Sequence, residues 1–153
     1  MRTFFLALIL LFAATSAHAV PPRAISITAE MLSRFERTEV TAKEHDSKPV
    51  KWSGVRLQTL MAARFYSPFG DRLKGPWLAA VVRATGADGY QVIFTLAELD
   101  AAFGNLEVLV ADQQDGKPID AADGPVRLIV PSDKRAARWV RNLTRLEILE
   151  LKE

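Results

Sequence analysis

The chain of 153 residues contains no cysteine, so its fold depends on a hydrophobic core without covalent cross-links. No disulfide can form, and no thiolate is available as a nucleophile or as a metal ligand. A chain of this length can bury one core of sufficient size by itself. We therefore expect one domain held together by packing and hydrogen bonds.

The N-terminal segment, residues 1–19, has the pattern of a secretory signal peptide. Arg2 precedes an apolar run, Phe4–Ala14, and the segment ends in small residues at Ala17-His18-Ala19. The run is too short to span a bilayer. We expect cleavage after Ala19 and a periplasmic mature chain, residues 20–153, that forms a single domain without inserting into the membrane.

The charged side chains give no reason to expect nucleic acid or a membrane surface as a partner. Basic and acidic side chains nearly balance, at 20 and 18, whereas a protein that binds nucleic acid carries a marked basic excess. The distribution is nevertheless uneven, since four basic side chains fall close together: Lys134, Arg135, Arg138 and Arg141.

Short periodic segments predict an α+β domain with a mixed β-sheet and short helices. A brief helix is predicted after Thr28, a second helix over Val55–Phe65, and a third from the capping box at Thr95 and Glu98 to about Phe103. The predicted strands, of which the third and fourth form a hairpin, are residues 36–42, 48–54, 77–83, 90–94, 106–111, 125–130 and 143–151.

Familiar catalytic arrangements are nearly absent from this sequence. His45 is the only histidine after the predicted signal peptide, so without cysteine neither a thiol nucleophile nor a zinc cluster can be assembled. Neither Ser53 nor Ser132 lies in the pattern of a nucleophile elbow. We therefore predict no catalytic residues and no metal ligands, and we interpret His45 as part of a solvated turn.

Four sequence elements follow one another in a characteristic order. Trp52-Ser-Gly-Val-Arg56-Leu57 precedes a predicted helix, and Asp88-Gly89-Tyr90 opens a strand. Gly124-Pro125-Val126-Arg127-Leu128 leads into a later strand, and the basic, aromatic segment 134–141 precedes the last one. In this order the elements resemble the sulfite-oxidase-like molybdopterin-binding domain, over roughly Ser26–Ile148.

The resemblance carries implications for the metal and for function. In the oxidoreductases of that family, the cysteine that holds the metal comes before the element that matches Trp52–Leu57. The corresponding stretch here, residues 39–50, offers Thr41, Lys43, Glu44 and His45. Small periplasmic members that lack this cysteine look like pterin-binding proteins. The resemblance thus implies a non-catalytic protein that binds a reduced pterin, without a covalent cofactor or molybdenum. It also implies a relay to the periplasmic domain of a membrane-bound cyclic-di-GMP enzyme.

The chemistry of a pterin indicates which side chains could bind it. A pterin is a flat heterocycle with an amino edge that donates hydrogen bonds, a 4-oxo group that accepts them, and two faces that need an aromatic or apolar wall. Carboxylates, arginines and aromatic rings near the motifs supply these groups. The predicted ligand-binding residues are Arg83, Asp88, Tyr90, Arg127, Ser132, Asp133, Arg135, Arg138 and Trp139. Family comparison supports Arg127 and the loop after Pro131 most directly.

Alternatives remain open at this point for both the function and the residues. The protein could be an oxidoreductase whose metal is held by the pterin dithiolene alone, a cofactor-carrying subunit, or an interaction module that has lost the pocket. Asp88-Gly89 could be only a hairpin turn, and Tyr90 and Trp52 only core residues. Arg127 and the segment 134–141 could simply face solvent.

Overall fold

Two antiparallel sheets frame the protein in a computed structural model that describes residues 23–66 and 69–151. The first sheet contains β1 (Arg23–Ser26), β4 (Ala80–Gly86), β5 (Gln91–Thr95) and β9 (Leu143–Glu150), in the order β1-β9-β4-β5. The second contains β2 (Thr38–Ala42), β3 (Val50–Arg56), β6 (Leu109–Gln114), β7 (Lys117–Pro118) and β8 (Arg127–Ile129). Its order is β2-β3-β6-β7, and β8 also pairs with β6.

Three short helices complete the described fold: α1 (Ala29–Leu32), α2 (Leu57–Phe65) and α3 (Leu96–Leu99). One hydrophobic cluster draws its side chains from both sheets and from the helices. The expected α+β class is therefore confirmed. The strands divide into two sheets rather than one, and each described pair is antiparallel.

Helix boundaries differ from the predictions where a strand or a side chain competes for the backbone. The helix predicted from Val55 begins at Leu57, because Val55 and Arg56 pair with Val110 and Leu109 of β6. The third helix begins at the predicted capping box but ends at Leu99 rather than near Phe103. Asp100 follows it, and its carboxylate accepts hydrogen bonds from the N–H groups of Ala102 and Gly70, at 2.7 and 2.6 Å.

The strand predicted over 77–83 begins later, at Ala80, because a 3-10 helix occupies Gly75–Ala79. Pro76 lies in the first turn of that helix, where its fixed φ angle and missing N–H are tolerated. The strands β1 and β7 were not predicted, since runs of four and two residues are too short to show periodicity.

The predicted signal peptide, residues 1–19, and the predicted start of the mature chain at Val20 lie outside the described residues. Within the described ranges, no helix has the length and apolar character needed to cross a membrane.

Candidate functional site

An open cleft of about 350 Å³ lies where β3, β6 and β8 meet the loop after β2 and the segment before β9. Sites for small molecules commonly measure roughly 300–1,000 Å³. The lining mixes basic, acidic, amide and aromatic groups, contributed by Glu44, His45, Ser47, Val50, Trp52, Gln114, Asp123, Arg127 and Arg141.

A short turn between β2 and β3 places Glu44 in this cleft. Glu44 and Ser47 hold the turn by two hydrogen bonds, from the N–H of Ser47 to the carbonyl of Glu44 and from the N–H of Glu44 to the hydroxyl of Ser47, both 3.1 Å long. His45 lies between them in the left-handed conformation, at φ 51°, and is exposed. The expected solvated turn at His45 is thus present, and it also borders the cleft.

Gly124 allows the other wall of the cleft to form. Its φ angle is 81°, and a Cβ at this position would lie 2.3 Å from the Cα of Asn142. The N–H of Asn142 donates to the carbonyl of Asp123 at 3.2 Å. Because glycine permits this close approach, Asp123 and Arg141, distant in sequence, line the same cleft.

Glu44 forms an ion pair with each of the two arginines of the cleft. Arg127 Nη2 donates to Oε2 at 2.9 Å, and Arg141 Nη2 donates to Oε1 at 2.8 Å. Burial raises the pKa of the Glu44 carboxyl, but the hydrogen bonds from Arg127 and Arg141 outweigh this effect and leave the pKa below its ordinary value. Glu44 is therefore charged at neutral pH.

Arg127 is buried against Trp52, which packs in turn on a second tryptophan. Its side chain is 3 % exposed, and its guanidinium carbon lies 5.0 Å from the centroid of the Trp52 ring. Trp139 meets Trp52 edge to face, with ring centroids 6.2 Å apart, and donates its own N–H to the carbonyl of Val130. Trp139 thus supports Trp52, and Trp52 contacts Arg127 at the wall of the cleft.

Two buried donors at this wall have no hydrogen-bond partner among the described residues: Trp52 Nε1 and Arg127 Nε. A buried polar group left unpaired costs about 1–3 kcal/mol. Both residues line the cleft, but the two donor atoms themselves are buried, so an acceptor would reach them only after the wall rearranges. Asp123 and Gln114 add hydrogen-bond acceptors to the same lining.

The predicted ligand-binding residues do not converge on this cleft, and Arg127 is the one that lines it. Trp139 lies behind Trp52 in the core. Arg138 donates to Asp133 at 2.7 and 2.8 Å and to Glu98 at 2.9 Å, which occupies its donors within the protein. The hydrogen bonds to Asp133 raise the pKa of Arg138. Burial lowers this pKa, but the hydrogen bond to Glu98 also raises it, and the pKa remains above its ordinary value.

The remaining predicted residues lie on the surface. Arg83 pairs with Glu147 at 2.9 Å on the first sheet. The Asp88 carboxylate accepts from the N–H of Tyr90, as expected for the hairpin turn. Tyr90 is 48 % exposed, so its interpretation as a core residue was wrong, and its hydroxyl donates to the Ala137 carbonyl. Ser132 and Arg135 are exposed in the loop that follows β8.

Replacing Arg138 with methionine tests this structural assignment. We expect the free energy of unfolding to fall by about 1 kcal/mol or less, because the ion pairs are partly exposed. The affinity for any ligand of the cleft should not change. Chemical denaturation and a binding titration would check both results. A large loss of affinity would show that Arg138 is a ligand-binding residue.

Several cleft residues were missed because no local pattern identifies them. Gln114 and Asp123 carry no motif, and Trp52 was interpreted as core from its place in a strand. Glu44 was noticed only because it lies in the stretch that corresponds to the metal-holding cysteine of the family. Arg141 was noticed only as part of a basic cluster. Within the described ranges, no group of three or more His, Asp or Glu side chains could hold a metal ion.

The structure is thus a small α+β domain with a cleft lined by charged, amide and aromatic side chains. Comparison with protein families matches residues 21–153 to the oxidoreductase molybdopterin binding domain. The chain belongs to this family, which confirms the resemblance seen in its motifs. A search of curated proteins finds no match.

Proposed function

We propose that this protein is a non-catalytic periplasmic receptor for a reduced pterin. The observation that carries the proposal is the pair of unpaired buried donors, Trp52 Nε1 and Arg127 Nε, at the wall of a cleft of suitable volume. Family membership supports a pterin as the ligand. The signal-peptide pattern of residues 1–19 supports the periplasm as the location.

The cleft residues would divide the two edges of the pterin between them. Arg127 and Trp52 would donate to the 4-oxo group and the ring nitrogens that accept hydrogen bonds. The Asp123 carboxylate and the Gln114 amide oxygen would accept from the amino edge. Hydrogen bonds that involve a charged group contribute about 1.5–3 kcal/mol each. Two such bonds and partial burial of the ring are consistent with an affinity of roughly 1 μM, or about 8 kcal/mol.

The absence of cysteine supports a receptor rather than an enzyme. In the oxidoreductases that the chain resembles, a cysteine thiolate holds the molybdenum, and this chain has no cysteine at any position. A molybdopterin bound in the cleft would bring redox chemistry through its metal, but the chain would contribute no sulfur ligand to it. The side chains present are suited to binding and orienting the pterin.

A relay to a partner requires that the loaded and empty forms differ at the surface. The turn that carries Glu44 is exposed, and Glu44 contacts both arginines that a ligand would meet. A ligand on Arg127 would thus change the position of residues 43–49. We propose the periplasmic domain of a membrane-bound cyclic-di-GMP enzyme as the partner that senses this change.

Anaerobic titration calorimetry of the purified protein with tetrahydropterin tests the proposal. We expect saturable binding of one pterin per chain, with a Kd of roughly 1 μM, and no heat with guanine, which shares the amino-pyrimidinone ring but lacks the reduced pyrazine ring. Binding weaker than about 1 mM for every pterin tried would overturn the assignment as a pterin receptor.

A cofactor-carrying oxidoreductase or subunit is the second candidate, favoured by the family to which the chain belongs. The metal content of the protein, purified from cells that make molybdopterin, separates the two functions. Stoichiometric molybdenum would favour the second candidate. Bound pterin without molybdenum would favour the receptor.

A further inference from the structure

Within the cleft, Glu44 occupies the arginine groups that an incoming anion would use. Each oxygen of its carboxylate accepts a hydrogen bond from a different arginine, Oε2 from Arg127 and Oε1 from Arg141. The two arginines differ in environment, with side-chain exposures of 3 % and 60 %. The carboxylate therefore bridges a buried cation at the wall and an accessible cation at the rim.

The burial of Arg127 limits which ligands can replace this carboxylate. A guanidinium at the wall of a cleft cannot lose its counter-charge without a large penalty. A neutral carbonyl could not replace this counter-charge, so a neutral pterin would bind with Glu44 still in place, whereas a carboxylate or a phosphate could take the place of Glu44. The planar fork of an arginine matches both anions by paired hydrogen bonds.

Glu44 is attached to a segment that can withdraw. Residues 43–49 form no strand pairing, and Lys43, His45 and Lys48 of this turn are exposed. Arg141 would retain an acidic neighbour in Asp123, which also lines the cleft. Withdrawal of the turn would therefore remove the Glu44 carboxylate from both guanidinium groups.

We propose that Glu44 is an internal competitor that the ligand displaces, and that the cleft consequently prefers a pterin carrying a carboxylate or a phosphate over a neutral pterin. This inference rests on the proposed function of the cleft as a pterin site. Arg127 and Arg141 would exchange the Glu44 carboxylate for the carboxylate or phosphate of the pterin.

Glu44→Gln tests the exchange, because glutamine keeps the size of the side chain and removes its charge. The probes are pterin-6-carboxylate, neopterin phosphate and neutral biopterin, each titrated into the full protein and the variant. In the unaltered protein the two anionic pterins should bind about tenfold more tightly than biopterin. In the variant their affinity should rise by a further factor of about ten, and that of biopterin by less than about threefold.

A matched control and a second variant keep the outcomes separable. Glu107→Gln removes the carboxylate partner of Arg56, a pair 2.7 Å apart outside the cleft lining, and should change no affinity. If Glu44→Gln fails to fold, Glu44→Asp provides the test, since its shorter side chain cannot bridge both arginines. Its expected effect is a smaller gain for the anionic pterins.

The results distinguish this inference from the proposed function. Equal binding of neutral and anionic pterins, or an equal loss for both in Glu44→Gln, would overturn the competitor role and leave the pterin receptor intact. Failure of every pterin would overturn the receptor. Inorganic phosphate then serves as the remaining probe, and unchanged phosphate binding in Glu44→Gln would overturn the anion exchange as well.

Discussion

Replacing Arg127 with methionine should weaken the binding of tetrahydropterin by at least tenfold and up to about 100-fold. The guanidinium supplies charge-assisted donors to the cleft, including an Nε that has no partner among the described residues. The loss of such a hydrogen bond costs about 1.5–3 kcal/mol, which corresponds to this range of affinity. Titration calorimetry of the variant measures the change directly.

The fold should survive this substitution. Methionine has a similar length and can keep the contact with the Trp52 ring. The Glu44 carboxylate that loses Arg127 is partly exposed, so it is not left as a fully buried charge. Glu44 would remain paired with Arg141 at 2.8 Å. The midpoint of thermal unfolding should therefore stay close to that of the unaltered protein.

Arg56→Met is the matched control for Arg127→Met. Arg56 also pairs with a glutamate, Glu107, but its side chain is 49 % exposed and lies outside the cleft lining. The control should bind pterin normally. An Arg127→Met variant that folds and binds as tightly as the control would show that the cleft is not the pterin site.

Local patterns in the sequence predicted most of the elements that frame the cleft. The capping box at Thr95 and Glu98 forms as predicted, with both reciprocal hydrogen bonds. The Thr28 hydroxyl accepts from the N–H of Met31 at the predicted start of the first helix. These signals are reliable because every group involved lies within one turn of the chain. Strand boundaries were less accurate, since long-range pairing sets them.

The composition of the cleft could not be predicted in the same way. Glu44 meets Arg127 across 83 positions of sequence and Arg141 across 97. Only the strand registers and the close approach of Gly124 to Asn142 bring these side chains together. The basic side chains of segment 134–141 form one cluster in the sequence, and Arg135 and Arg138 were predicted to bind the ligand. In the structure, Arg138 pairs with Asp133 and Glu98, whereas Arg141 pairs with Glu44.

Trp52 illustrates the limit of interpretation by periodicity. Its position in a strand predicted a core residue, and it is indeed 2 % exposed. Periodicity reports which face of a strand is buried, but it does not report where an indole N–H finds a partner. The proposed role of Trp52 in ligand binding depends on this unpaired Nε1.

Gly54→Ala should lower the free energy of unfolding by about 3 kcal/mol or more, the largest stability effect we expect from a single methyl group. Gly54 ends the strand predicted over residues 48–54, but it lies inside β3, next to an irregularity in the pairing with β6. A Cβ at this position would lie 2.1 Å from the carbonyl oxygen of Val110 and 2.6 Å from the Cα of Ala111. Backbone atoms cannot move aside as a flexible side chain can, so the two strands would have to separate.

Gly116→Ala separates this steric effect from the ordinary cost of adding a methyl group to glycine. Gly116 has a φ angle of 76°, and no atom would lie within 4 Å of its added Cβ. Conformational strain alone should cost that variant about 1–2 kcal/mol. Urea denaturation followed by tryptophan fluorescence measures both variants. Similar losses for the two would mean that the β3–β6 contact tolerates the methyl group. A clearly larger loss of stability for Gly54→Ala would mean that the Trp52-Ser-Gly motif requires its glycine for steric reasons. The strand β3, which carries Trp52 to the cleft, packs directly on the backbone of β6 at this position.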